Sequence, residues 1–135
     1  MQTSTIPYAL AVDDDAIIRC DVYQILEEAG FRCLEAASGD EALEHLSQMA
    51  ESIVVLFTDV EMPGSVNGFA LARHVAEHWP HIEIVVSSGN VRPAAEDIPE
   101  KAAFITKPFS AEVVHEELRR LLPDGKKPDP LKTAV

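Results

Sequence analysis

Short apolar runs alternate along this chain with stretches in which apolar residues recur every three or four positions. Tyr8 to Val12 is a continuous apolar run of strand length. Behind it Ile18, Val22, Ile25, Leu26 and Ala29 form one stripe of a helix from Ala16 to Ala29, which Gly30 stops. A second strand pattern runs from Phe31 to Ala36. Ser38-Gly39-Asp40-Glu41 has capping-box spacing, with the Ser38 hydroxyl taking the Glu41 amide and Glu41 reaching back to the amide of Ser38. It opens a helix carrying Leu43, Leu46 and Ala50. Ile53 to Phe57 is apolar at successive positions, so both faces of that strand are buried, which puts it in the middle of a parallel sheet. Ala72, Val75, Ala76 and Trp79 make a third helical face, ended by Pro80. Ile82 to Val86 and Ala102 to Thr106 are further strand patterns. Ser110 caps a last helix with Val114, Leu118, Leu121 and Leu122 on one face, before Pro123 and Asp124-Gly125. Strand and helix in repeated alternation predict an α/β domain: a five-stranded parallel sheet with helices on both faces.

In such sheets ligands gather at the carboxyl ends of the strands, and the ends here are polar in a particular way. Asp13, Asp14 and Asp15 close the first strand and Asp59 closes the third. Ser87-Ser88-Gly89 closes the fourth, and Lys107-Pro108-Phe109 the fifth. Clustered carboxylates raise one another's pKa unless a cation sits between them, and a hard ion held by one or two carboxylates, water and phosphate oxygens is the Mg²⁺ pattern. The plainer alternative for the triplet alone is an aspartate cap on the first helix.

In order, Asp-Asp after the first strand, Asp-x-x-Met-Pro-Gly after the third, Ser-Gly after the fourth and Lys-Pro-Phe after the fifth resemble the receiver domain of two-component response regulators, a flavodoxin-like fold, over about residues 7 to 122. The resemblance implies that Asp13 and Asp14 hold Mg²⁺ together with Asp59 and the main-chain carbonyl of Glu61. It further implies that Asp59 is the phosphoacceptor, Lys107 contacts the phosphoryl group, Ser88 binds it as the switch hydroxyl and Phe104 is the aromatic that turns between states. Ser87 is a hydroxyl at the same strand end. Because side chains alternate faces, only one of the two serves, and Ser88 is preferred because Gly89 follows it. Glu61 lies in the loop over the site, where it is placed to influence attack of water on an acyl phosphate.

By the same resemblance the chain is a phosphoacceptor with self-catalysed phosphorylation and dephosphorylation at Asp59, rather than an enzyme. Its donor is a histidine kinase or a histidine phosphotransfer protein, and its output passes to a downstream target protein. One departure from the family stands out. Few positions separate Ser88 from Lys107, Pro93 suits a first helical turn and Pro99 ends any helix by Ile98, so the fourth helix is expected to be shortened or absent and residues 90–101 mostly irregular and mobile. The fourth-helix face is therefore not expected to carry a dimer. The chain should be a monomer or a weak homodimer through another surface, such as the first and last helices.

At 135 residues the chain has the size of one domain, expected over residues 1–122, with a Pro-rich tail over 123–135 expected to be flexible and to lead to no effector. A formal net charge of −12 argues against binding nucleic acid or an anionic membrane and for protein partners. Cys20 and Cys33 lack C-x-x-C spacing and read as small buried apolar residues. With no signal-peptide pattern and no run of membrane-spanning length, a cytoplasmic location is expected. His74, His78 and His81 resemble transition-metal spacing but read better as surface histidines beside Arg73 and Glu77. Three competing classes remain. A Mg²⁺-dependent phosphohydrolase with an Asp nucleophile would resemble Asp-x-Asp-x-Thr after the first strand, where Ala16 and Ile17 follow the triplet here. A flavodoxin-like cofactor binder would offer amides, not three acids, to a phosphate. A non-phosphorylated receiver-like binding module would have no use for the full set of phosphorylation residues.

Overall fold

Tyr8–Val12 (β1) is flanked on one side by Arg32–Ala36 (β2) and on the other by Ile53–Asp59 (β3). Beyond β3 lie Glu83–Ser88 (β4) and Ala103–Thr106 (β5), giving one sheet in the order β2-β1-β3-β4-β5. This architecture is that of a computed structural model, which describes residues 7–62, 64, 66–89, 98–99, 101–123 and 127–128. Every pairing is parallel. β3 is the central strand, as its unbroken apolar run predicts, and Ile53, Val55, Leu56, Phe57 and Thr58 are all buried. Among the described residues four α-helices join the strands: Ala16–Glu28 (α1), Gly39–Met49 (α2), Gly68–His78 (α3) and Ala111–Leu121 (α4). A 3-10 turn, Ala50–Ser52, leads from α2 into β3.

Side-chain alternation along the strands sorts the core into two layers. Ala9, Ala11, Val55, Phe57, Val85 and Ile105 pack against Val22 and Leu26 of α1 and Val114 and Leu118 of α4. Leu10, Leu56, Ile84 and Val86 pack against Ala42 and Leu46 of α2 and Leu71, Ala72 and Val75 of α3. Helices thus cover both faces. Because β2 lies to one side of β1 and β3 to the other, the chain turns outward in opposite directions from β1 and β3. A crevice opens at their carboxyl ends, between Val12 and Asp59.

Local chemistry explains the helix boundaries, with two corrections to the sequence reading. Ser38 caps α2 by accepting the Glu41 amide at 3.1 Å, but the Glu41 carboxylate takes the amide of Ala37 at 2.8 Å, one residue before the cap. Cys20 is exposed rather than buried, on the solvent side of α1, while Cys33 on β2 is half-buried with its thiol directed at the Tyr23 carbonyl, 3.6 Å away. Gly30 ends α1 with φ 103°, a conformation that suits glycine. Ser110 caps α4 through the Val113 amide. The segment expected to hold the shortened fourth helix falls largely on residues 90–97 and 100, outside the described residues. Of the tail, residues 123, 127 and 128 are described, with Pro128 buried. No helix among the described residues is long and apolar enough to cross a membrane.

Candidate functional site

The three adjacent aspartates do three different things. Asp15 is the cap of α1, its carboxylate accepting the amides of Ile17 at 2.9 Å and Ile18 at 3.3 Å, so the helix-cap reading holds for this residue. Asp13 is tied down by the chain on both sides of its α-carbon. Its amide donates to Ala36 on β2 at 3.1 Å, and its carbonyl accepts from the Arg19 guanidinium at 2.7 Å. Its carboxylate accepts the Asp15 amide at 2.9 Å and is 4% exposed as a residue. Asp14 is exposed at the lip of the crevice.

Asp59 is the last residue of β3 and is also 4% exposed. The start of α3 presses on its backbone. The Gly68 amide donates to Val60 O at 2.9 Å, and a β-carbon at Gly68 would sit 2.0 Å from Asp59 O and 2.7 Å from the Val60 α-carbon, so only glycine fits. Asn67 caps α3 through the Ala70 amide at 2.9 Å. The sequence reading of α3 began too late to notice this Asn-Gly start, although a capping residue followed by Gly-Phe-Ala-Leu carries the signal.

Lys107 follows β5, and its amide donates to Ser88 O at 3.0 Å, which fixes where its side chain departs. The ammonium lies 2.8 Å from Asp59 Oδ1 and 3.3 Å from Asp13 Oδ2. The three aspartates among the four residues expected to hold a metal converge. Among the described residues Asp13, Asp14 and Asp59 are the cluster whose ligand atoms lie within 4.8 Å of one another. An all-carboxylate donor set of this size fits a hard, oxygen-seeking ion such as Mg²⁺ and does not suit a soft one.

The electrostatics show why such a cluster wants a cation. Burial pushes Asp59 above the ordinary carboxylate value, and the charge of Asp13 adds to this, although the hydrogen bond and charge of Lys107 pull the other way. Asp13 is raised for the same first reason, against the Asp15 amide and Lys107. Burial alone would lower Lys107, but its hydrogen bond to Asp59 and the charges of Asp13 and Asp59 outweigh it, so its value is raised.

The two serines divide between the faces of the sheet. Ser87 stands in register with Asp59 and Ile105, and Ser88 with Thr106, on the face of Val86 and Phe104. Both are buried, and the Ser88 hydroxyl donates to Glu61 Oε1 at 3.4 Å. The Glu61 side chain thus reaches the end of β4. Phe104 is half-buried in the layer beneath α2 and α3, beside Val86. The histidines are elsewhere: the His74 and His78 rings stack at 4.0 Å, His78 Nδ1 bonds the His74 carbonyl, and His81 Nε2 bonds that of Ala50. Arg19 was not singled out in the sequence, where an arginine on an amphipathic helix reads as part of a solvated face.

The response regulator receiver domain family matches residues 9–119 of the chain. The chain is 36% identical over 120 residues to the C4-dicarboxylate transport transcriptional regulatory protein DctD of Rhizobium meliloti, a match covering 87% of this chain but only 25% of DctD. It is 30% identical over 116 residues to the response regulator receiver protein CpdR of Brucella abortus, covering 84% of this chain and 94% of CpdR. The crystal structure of a response regulator receiver protein from Sinorhizobium medicae WSM419 superposes with a TM-score of 0.79 at 28% identity, over 89% of this chain and 97% of that one.

Proposed function

We propose that this chain, which belongs to the response regulator receiver domain family, takes a phosphoryl group onto Asp59 from the phosphohistidine of a histidine kinase or a histidine phosphotransfer protein, and signals through contact with a downstream protein. Receiver domains are in general phosphoacceptors rather than enzymes, and they pair with histidine kinases. The supporting observation is the buried carboxylate of Asp59 at the end of the central strand, with Lys107 Nζ 2.8 Å from its Oδ1 and oxygens of Asp13, likewise buried, and of Asp14 within 4.8 Å.

A carboxylate is a weak nucleophile, so position and charge neutralisation must do most of the work. Lys107 orients Asp59 and neutralises an oxygen of the incoming group. An Asp59 oxygen attacks phosphorus in line, an acyl phosphate forms as the P–N bond breaks, and the electron pair leaves with the imidazole. Asp13, Asp14 and Asp59, with the main-chain carbonyl of Glu61, would hold Mg²⁺, which when bound offsets the repulsion between nucleophile and phosphoryl oxygens.

Ser88 is the proposed switch hydroxyl. It shares a sheet face with Phe104, and its carbonyl is bonded to the Lys107 amide, so movement at the phosphoryl group reaches both. To contact the phosphoryl group its hydroxyl must leave Glu61. Ser87, on the Asp59 face, is the competitor for this role. The net charge of −12 favours protein partners over nucleic acid or an anionic membrane. The receiver unit is assigned to residues 1–122 and the tail to 123–135, in a cytoplasmic protein that is monomeric or weakly dimeric.

The test is incubation with Mg²⁺ and a small phosphodonor such as acetyl phosphate, followed by intact mass. One added phosphoryl group is expected, and none in Asp59→Asn. Ser87→Ala and Ser88→Ala should both accept the group, but only Ser87→Ala should keep the accompanying change in amide exchange around Phe104. An unchanged mass in the native protein would overturn the proposal, and the reverse serine result would move the switch to Ser87.

A further inference from the structure

We propose that Arg19 is a positioning residue for the acidic cluster: by gripping the main-chain carbonyl of Asp13 it sets the affinity of Asp13, Asp14 and Asp59 for a divalent cation. The inference rests on the Mg²⁺ site proposed above. The Asp13 carbonyl belongs to the peptide plane that joins Asp13 to Asp14, so whatever holds that oxygen sets how the two carboxylates stand relative to each other.

Two oxygen atoms, one a backbone carbonyl and one a carboxylate, engage the Arg19 guanidinium. Its Nη1 donates to Asp13 O at 2.7 Å and its Nε to Glu35 Oε1 at 3.0 Å, with the arginine side chain 20% exposed. Glu35 is anchored on β2, in register with Ala11 of β1. The guanidinium is a rigid planar fork, so engaging Glu35 with one nitrogen aims another at the carbonyl. The Asp13 amide is already fixed by Ala36 O at 3.1 Å. Arg19 therefore supplies the second restraint on a loop whose third acid, Asp15, is occupied with capping α1.

Charge and position act in opposite directions here, and their sizes differ. Removing a cation beside a cation site favours metal binding. However, Arg19 is paired with an acid that is 48% exposed, and exposed pairs have small, screened effects. Losing a group that orients metal ligands typically weakens binding about 10–100-fold. Position should win.

The test is calorimetric titration with MgCl₂ at a temperature where circular dichroism shows each variant folded. The double variant Arg19→Gln with Glu35→Gln removes one charge of each sign, so the net charge is unchanged, and the small field change left by losing the nearer cation would favour metal binding, opposite to the loss expected from the missing restraint. It should bind Mg²⁺ about tenfold more weakly than the native chain. Glu35→Gln alone and Arg19→Lys, which keeps a cation able to reach the carbonyl, should fall between. If the double variant does not fold, weaker binding by Arg19→Gln than by Arg19→Lys carries the same conclusion. An affinity for Mg²⁺ within twofold of native in the double variant, or in Arg19→Gln if the double variant does not fold, overturns the inference even if the melting temperature falls, because that is the signature of a purely structural arginine. Native protein that binds no Mg²⁺ overturns the metal site and this inference together, a result separate from the first.

Discussion

Replacing Lys107 by methionine removes one positive charge and keeps most of the side-chain stem. The ammonium sits 2.8 Å from Asp59 and 3.3 Å from Asp13, with the two carboxylate side chains 5% exposed and the lysine 20% exposed. Hydrogen bonds to charged groups contribute about 1.5–3 kcal/mol each, and stripping one partner from a buried pair costs about 3–5 kcal/mol. Water at the open lip replaces part of this, so a net loss of about 2–3 kcal/mol is expected near neutral pH. For a domain of this size that is a fall of roughly 6–12 °C in melting temperature.

The pH dependence separates this cause from a generic packing defect. Asp13 and Asp59 are raised by burial above the ordinary 3.8. Between 3.8 and those raised values the folded protein holds protons that the unfolded chain has released. Their contribution to stability is therefore fully present below 3.8 and is lost as pH rises through the raised values. Without Lys107 the two carboxyls rise further, and once protonated they no longer need a cation. The deficit of Lys107→Met should be largest near neutral pH and shrink on acidification. At the alkaline end, the stability native protein draws from Lys107 is present below 10.5 and is lost as pH rises through its raised folded value. Urea unfolding of both proteins in EDTA, from about pH 5 to about pH 8, measures the difference. A deficit under about 0.5 kcal/mol near neutral pH, or one that does not change with pH, would refute the reasoning.

By the proposed reading Mg²⁺ is held only by the folded cluster, so it should raise the melting temperature; Asp14→Ala should abolish that response and melt higher than native protein in EDTA, by relieving repulsion among the acids. A Mg²⁺ shift that survives Asp14→Ala would put the ion elsewhere. Gly68→Ala should lose about 2 kcal/mol or more and slow phosphorylation of Asp59, since the new methyl meets only backbone, at 2.0 Å from Asp59 O and 2.7 Å from the Val60 α-carbon; native urea stability in this variant would show that the helix start can yield. Iodoacetamide should label exposed Cys20 well before Cys33, whose thiol burial pushes up to about 12, as read by peptide mass, and equal labelling would contradict that environment.

Much of this protein is legible in one dimension because its sheet is buried on both faces. Burial of that kind demands unbroken apolar runs, so β1, β3 and β4 announce themselves, and β3 announces that it is central. The helices follow from stripes and caps, which are local: Ser38 and Ser110 act within three residues of where they stand. Parallel topology then carries the strand ends to one edge, so the convergence of Asp13, Asp14, Asp59 and Lys107 follows from order alone.

What the chain order left open depends on which way a side chain points and on what meets it from far away. Asp13, Asp14 and Asp15 are chemically identical, and only the turn into α1 makes one a cap and leaves the others to the crevice. Ser87 and Ser88 differ by a single step of strand alternation, and it takes the register of β4 against its neighbours to put Ser87 on the face of Asp59 and Ser88 on that of Phe104. Cys20 sits on the solvent side of α1 because helical phase, not hydrophobicity, decides exposure there. Gly68 is required by the Asp59 carbonyl and Arg19 grips that of Asp13, contacts between separate elements that no periodicity encodes. Local propensity and burial pattern are properties of neighbours in sequence, whereas the geometry of the site belongs to residues that become neighbours only when the sheet closes.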